Sequence, residues 1–207
     1  MKSKRTILKA AATLVAAAFS FPAVAGCNTA KPPADLFTEK DAWRFSQLVE
    51  SRTRGLALAV SSDRTADRKK LSEALVDLYP DKDEERPKHA ADRLVGSYGC
   101  SIIKLGGLPP LVAYQAFRCE IHSGKNGLVI EKTTGSQQFY GKLIASGNGF
   151  AYAGTLRYQD ETTTPYGNGP ERDQAGCLAV VSPHKLVLEL PYPHYEAVHD
   201  IVVLKRR

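Results

Sequence analysis

The sequence has no internal repeat and no low-complexity block, which argues against solenoids, propellers and fibrous arrays. It has no apolar run of the roughly 20 residues that a membrane-spanning helix needs. The nearest candidate, Ala10 to Ala25, is 16 residues long and rich in alanine. Net charge is also scarce. Four of the six formal net positive charges fall at Lys2, Lys4, Arg5 and Lys9, which leaves +2 on the rest. A field that weak does not call for nucleic acid. The Lys205-Arg206-Arg207 cluster reads as a solvated end. Missing too are a G-x-S-x-G elbow, a phosphate loop, and EF-hand or zinc spacing.

What is present begins at the N-terminus. A basic start followed by an apolar stretch is the order of an export signal. Its end reads two ways. Ala23-Val24-Ala25 suits ordinary signal cleavage before Gly26, and Val24-Ala25-Gly26-Cys27 resembles a lipobox with acylation of Cys27. The lipobox reading is the one we expect: a signal over 1–26, and a membrane partner through a lipid anchor on Cys27. Either cleavage places the chain outside the cytoplasm, on the periplasmic side of the envelope or secreted.

Four cysteines remain to be assigned: Cys27, Cys100, Cys119 and Cys177. An exported chain permits disulfides, and three pairings are formally open. Cys100 and Cys119 lie on what read as neighbouring strands, so a bridge between them is expected. With Cys27 acylated, Cys177 is left free, as a small buried hydrophobe.

Residues 27–37 carry two prolines and little to bury, and read as a tether. Residues 38–92 read as a helical segment with a charged linker. Thr38 caps a helix running to about Ala59, with Asp41 three residues on and Trp43, Phe45, Leu48 and Val49 on one broad face. Gly55 is expected to kink or fray it. A second helix spans Thr65 to Leu78, with Leu71, Leu75 and Leu78 at core spacing. From 93 to 207 the text turns to short alternating runs separated by turn residues. Strands are expected at 98–105, 112–122, 128–133, 137–145, 150–158, 176–182, 185–190 and 198–205. Phe117, Cys119 and Ile121 share one phase, as do Phe150, Tyr152, Gly154, Leu156 and Tyr158. The fold class expected is α+β and mainly β: about eight antiparallel strands in a closed or nearly closed, lipocalin-like barrel, with a sandwich as the alternative.

Several ordered motifs run through this region. They are Tyr98-x-Cys100-x-Ile102-Ile103-Lys104-Leu105-Gly106, Val112-Ala113-Tyr114, Phe117-Arg118-Cys119, Lys132-x-Thr134-Gly135-Ser136-Gln137 and Gly154-Thr155-Leu156. Asp160-Glu161-Thr162, Tyr166-Gly167, Glu171-Arg172-Asp173-x-Ala175-Gly176 and Leu190-Pro191-x-Pro193-x-x-Glu196-x-x-x-Asp200 follow. Together they resemble the DUF4893 family of exported proteobacterial proteins, over about Gly96 to Leu204; the helical part resembles it in character only. The resemblance implies no activity, because the family is one of unknown function. At Cys177, His194 and His199 the chain departs from the family's pattern, which speaks against catalytic roles there.

One connection is unusually long. Gln159 to Gln174 is 16 residues without periodicity, and such loops are often functional. Its Asp160, Glu161, Tyr166, Glu171, Arg172 and Asp173 form the candidate ligand site. Carboxylates there could serve acid–base chemistry or a hard cation. The plainer reading is that Arg172 pairs with a neighbouring acid and pins the loop to the barrel. Thr134-Gly135-Ser136 reads as a turn with a positive φ at Gly135. His194, Glu196, His199 and Asp200 read as a solvated terminus rather than a metal set. Lys104 and Arg118 could face outward, or inward to build a site. No catalytic residue, metal or cofactor is assigned. The function expected is a non-catalytic binding or structural envelope module, for an unknown small ligand or an envelope protein. An enzyme using the loop acids is the alternative, and a periplasmic protease-inhibitor-like barrel a third option by fold analogy.

Overall fold

The computed structural model describes residues 26–78 and 91–207; the signal segment and the charged linker expected around 81–89 lie outside the described residues. Eight antiparallel strands close into one barrel in sequence order. They are β1 (Gly96–Leu105), β2 (Leu111–Gly124), β3 (Gly127–Lys132), β4 (Gln137–Ser146), β5 (Gly149–Tyr158), β6 (Asp173–Ser182), β7 (Lys185–Pro191) and β8 (His199–Arg206). The sheet closes where β1 pairs with β8, Ile102 opposite Val202. Closure leaves no strand edge unpaired. The sandwich alternative is thereby set aside.

Period-two alternation explains the interior. Cys100 on β1, Cys119 and Ile121 on β2, Leu128 and Ile130 on β3, Phe139 and Leu143 on β4 and their counterparts on β5 to β8 form one buried core. Cys100 and Cys119 are bridged within it, as diagonal neighbours on paired strands: Tyr98 lies opposite Cys119 and Cys100 opposite Phe117. The Tyr152 ring has room because the cross-strand pair Gly141 and Gly154 carries no Cβ; one added at Gly141 would lie 2.4 Å from Cε2 of Tyr152.

Three helices cover part of the outer wall: α1 (Glu39–Ser46), α2 (Leu48–Ala59) and α3 (Thr65–Leu78). Thr38 caps α1 by accepting from the Asp41 N–H at 3.3 Å. The expected single helix is broken at Gln47, whose N–H bonds the carbonyls of both Trp43 and Arg44. Gly55 does not interrupt α2, which runs on to Ala59. There the helix lies close against the barrel, since a Cβ would stand 2.9 Å from Cβ of Leu105 and 3.2 Å from that of His199. Phe45 and Leu48 are buried against Ala151, Ala175 and Cys177, and Leu71 and Leu78 against Leu105 and Val187. Trp43 and Val49 do not share that face: they are 56% and 53% exposed, and Trp43 stacks on Tyr192 instead.

One expectation about cysteine is overturned. Cys177 is not free, because it is bonded to Cys27 across 150 positions. A sulfur held in that disulfide is not free to carry a thioether-linked lipid. Nor is 27–37 a loose tether. Cys27, Leu36 and Phe37 pack beside Phe45, and the Gly26 carbonyl accepts from the Asn148 N–H at 2.8 Å.

The helices are also held by buried charge. Arg52 of α2 reaches Glu189 of β7 with two hydrogen bonds, 2.5 and 2.7 Å, and His199 Nε2 lies 3.1 Å from the same carboxylate. Burial pushes the Glu189 carboxyl up, but the bonds from His199 and Arg52 outweigh it and hold the group below the usual carboxylate range.

Candidate functional site

The two ends of the barrel differ. At one, Leu94 is buried beneath the strands and accepts the Tyr98 hydroxyl at 2.7 Å. At the other, the connections 106–110, 133–136, 159–172 and 192–198 surround the strand ends. Inward positions there turn polar in the same phase as the core: Lys104 follows Cys100 and Ile102, Lys132 follows Leu128 and Ile130, and Asp200 precedes Val202. Each is at most 7% exposed.

Lys104 carries its ammonium 3.3 Å from Asp200 and 3.5 Å from Glu196. Burial alone would lower its pKa, but the two carboxylates prevail and raise it. Burial drives the Asp200 carboxyl up, against the pull of Lys104. Lys132 is placed differently. Its Nζ donates to the carbonyls of Thr134 and Gln137 at 2.6 and 2.5 Å, and sits 3.9 Å from the centre of the Phe117 ring. Burial, with the nearby charge of Lys104, pushes Lys132 down to about 8.

Lys104, Lys132 and Glu196 line a cavity of about 170 Å³, with Tyr114, Ser136 and Gln137 at its walls and Ile102 and Phe117 beneath. Behind Lys104 and Gln137 a narrower cleft of about 30 Å³ reaches Arg172, Gln174 and Asp200. That is room for one water-sized body. Arg172 Nη1 and Asp200 Oδ1 are buried there without a hydrogen-bond partner in the structure.

The six loop residues picked out in the sequence do not converge on one point. Arg172 pairs with Glu161 at 2.9 Å and lies over the Tyr158 ring, and Arg172 and Glu171 border the narrow cleft. Tyr166 turns the other way, donating to Asp41 of α1 at 2.7 Å and accepting from the Thr38 N–H at 3.1 Å. Burial and the Asp41 carboxylate both raise its pKa. Asp173 is the first residue of β6 and accepts from the Gly167 N–H at 3.1 Å. Asp160 is exposed. Tyr166 and Gly167 instead border an outer groove of about 590 Å³, together with Phe37, Tyr140 and Lys142.

His199 and Asp200 are not a solvated terminus. They begin β8 and face opposite sides, His199 under α2 and Asp200 into the barrel. Ser51, His199 and Glu189 stand in a row, Ser51 Oγ 2.9 Å from Nδ1 of the imidazole. All three are at most 1% exposed beneath the helix, so this Ser–His–acid row fastens α2 to the sheet rather than meeting a substrate. His194 is exposed and meets Tyr195 edge-on. Arg118 points outward, while Lys104 takes the inward course that had been left open. Lys132 was missed in the sequence, although its phase with Leu128 and Ile130 marked it as inward-facing.

An eight-stranded closed barrel with a polar open mouth and a helical strap defines the molecule's class. The DUF4893 family model, a domain of unknown function, matches residues 35–204, and the chain belongs to that family. The match takes in the helices as well as the barrel, further than the motifs alone reached. No curated protein and no solved structure matches the chain.

Proposed function

We propose that this protein is an exported, non-catalytic binding module whose ligand enters the open mouth of the barrel. The observation that carries this reading is the 170 Å³ cavity, where two buried lysines converge with Gln137, Ser136 and Tyr114 over an apolar floor of Ile102 and Phe117. A few placed polar groups above apolar walls are the usual make-up of a small-molecule site. The outer groove is larger, but its charged members, Asp35 and Lys142, are exposed. Export is supported by the two disulfides, which persist in oxidising compartments, and by the basic-then-apolar start of the sequence. With Cys27 bridged, cleavage before Gly26 and a chain free in the periplasm fit better than a lipid anchor. A fragment screen followed by backbone NMR tests the ligand reading. Shifts concentrated at Lys104, Tyr114, Ser136 and Gln137 are the expected result. A screen in which no compound perturbs these residues would overturn it.

A further inference from the structure

We propose that the mouth cavity recognises small organic carboxylates, and that the carboxylate of Glu196 is its built-in competitor. This rests on reading the mouth as a ligand site. Glu196 has a left-handed backbone, φ 69°, unusual for a residue with a side chain. The conformation is fixed by its neighbours. Its carbonyl lies so near Gly107 that a Cβ there would approach to 1.8 Å, and the Val198 N–H is held by the Leu105 carbonyl at 2.8 Å. The backbone so held aims the side chain at the cavity. There the carboxylate meets Gln137 Nε2 at 3.2 Å and Lys104 Nζ at 3.5 Å.

Two features distinguish this carboxylate from the other acid of the site. Asp200 is buried, side chain 6% exposed, and fixed beside Lys104; the Glu196 side chain is 54% exposed, over an open entrance. It can therefore leave at little cost, because water can solvate it outside. Removing it from the mouth would leave Lys104, Lys132 and the Gln137 amide facing the cavity, with Asp200 beside Lys104 in the adjoining cleft, a surplus of positive charge. The hydrogen bonds of Lys132 go to carbonyl oxygens, which do not neutralise its ammonium. An incoming carboxylate can take the two contacts of Glu196 and add the field of Lys132. The rest of the ligand meets Ile102 and Phe117, which favours an apolar or aromatic body. A volume of 170 Å³ holds five or six waters' worth of matter, or a compact organic ion of roughly ten non-hydrogen atoms.

Benzoate, benzyl alcohol and benzylamine share a ring and differ in charge, so they serve as probes. Each is titrated by NMR into the full mature chain and into the Glu196→Gln variant. Glu196 is exposed enough for the variant to fold, and its melting curve checks this. Benzoate is expected to shift Lys104, Tyr114 and Gln137, and to bind the variant about tenfold more tightly, as loss of one competing charge-assisted contact implies. If benzyl alcohol or benzylamine binds the mouth as well as benzoate, the carboxylate assignment fails while the ligand site stands. Unchanged benzoate affinity in Glu196→Gln removes the competitor. If none of the three probes shifts the mouth residues in either protein, the inference is overturned, and the wider fragment screen decides separately whether the mouth is a site at all.

Discussion

Arg52 and Glu189 meet in a two-point grip, 2.5 and 2.7 Å, with both side chains 2% exposed. The pair joins α2 to β7 across the layer between helix and barrel. Removing Arg52 leaves the Glu189 carboxylate in a dry place with His199 in place of a full counter-charge. Arg52→Met is therefore expected to cost about 3–5 kcal/mol in urea unfolding, and Arg52→Met with Glu189→Leu to recover much of it. Equal losses in the single and double variants would show that the stranded charge is not the cause.

The same carboxylate gives the fold an acid-sensitive point. Glu189 is held below its ordinary pKa in the native state, so the unfolded chain binds its proton first as pH falls. Its contribution is fully present above about 4.3, the unfolded value, and is lost as pH falls through the folded one. Melting temperatures of wild type and Glu189→Gln between pH 7 and pH 2 check this. The variant should be the less stable at neutral pH and should lose less on acidification.

Lys132 runs the opposite way. Its pKa is lowered to about 8, so between about 8 and the unfolded value near 10.4 the unfolded chain binds more protons and this group favours folding as pH rises. Lys104 is the cation facing it, with Glu196 across the cavity. Lysine-selective NMR titration should find one ammonium near 8 that moves upward in Lys104→Met. A lysine titrating normally in both proteins would contradict the placement of these two charges.

Gly55→Ala offers a contest of known terms. A better helix former gains about 1 kcal/mol. The new Cβ, however, meets Leu105 at 2.9 Å and His199 at 3.2 Å, both on the rigid barrel wall, and overpacking costs about 1–3 kcal/mol. We expect net destabilisation. A higher melting temperature would mean that α2 can lift from the sheet without loss.

Mass spectrometry of the mature protein, without reduction, should give a chain beginning at Gly26, no acyl group, and two bridges, Cys27–Cys177 and Cys100–Cys119. A diacylglyceryl group on Cys27 would contradict the first bridge.

The strands were legible because one buried face per strand leaves a period of two that survives without any knowledge of partners. Closure was legible only as a count of eight. The break at Gln47 carried no glycine or proline, and the glycine that invited a kink proved to be a contact. The Cys27–Cys177 bridge joins positions 150 apart, with no local pattern to announce it, and the lipobox-like text offered a competing use for the same sulfur. The site was half visible. Arg172 with its acid partner could be read from a dense polar loop. Lys104 and Lys132 were visible only as charges in phase with apolar neighbours, a pattern that needs the barrel's curvature to say which side is in. His199 and Asp200 looked terminal because they follow two prolines, yet they open the strand that closes the sheet.

The bridge from Cys27 to Cys177 makes a covalent ring of the chain between those positions. All three helices and the strands β1 to β5 lie inside that ring. A protease that cuts once within it opens the ring but releases nothing: both pieces stay on one molecule until a reductant reaches the sulfur pair. A nicked molecule can thus keep its helices beside its barrel, and the nick would show as two bands only on a reducing gel.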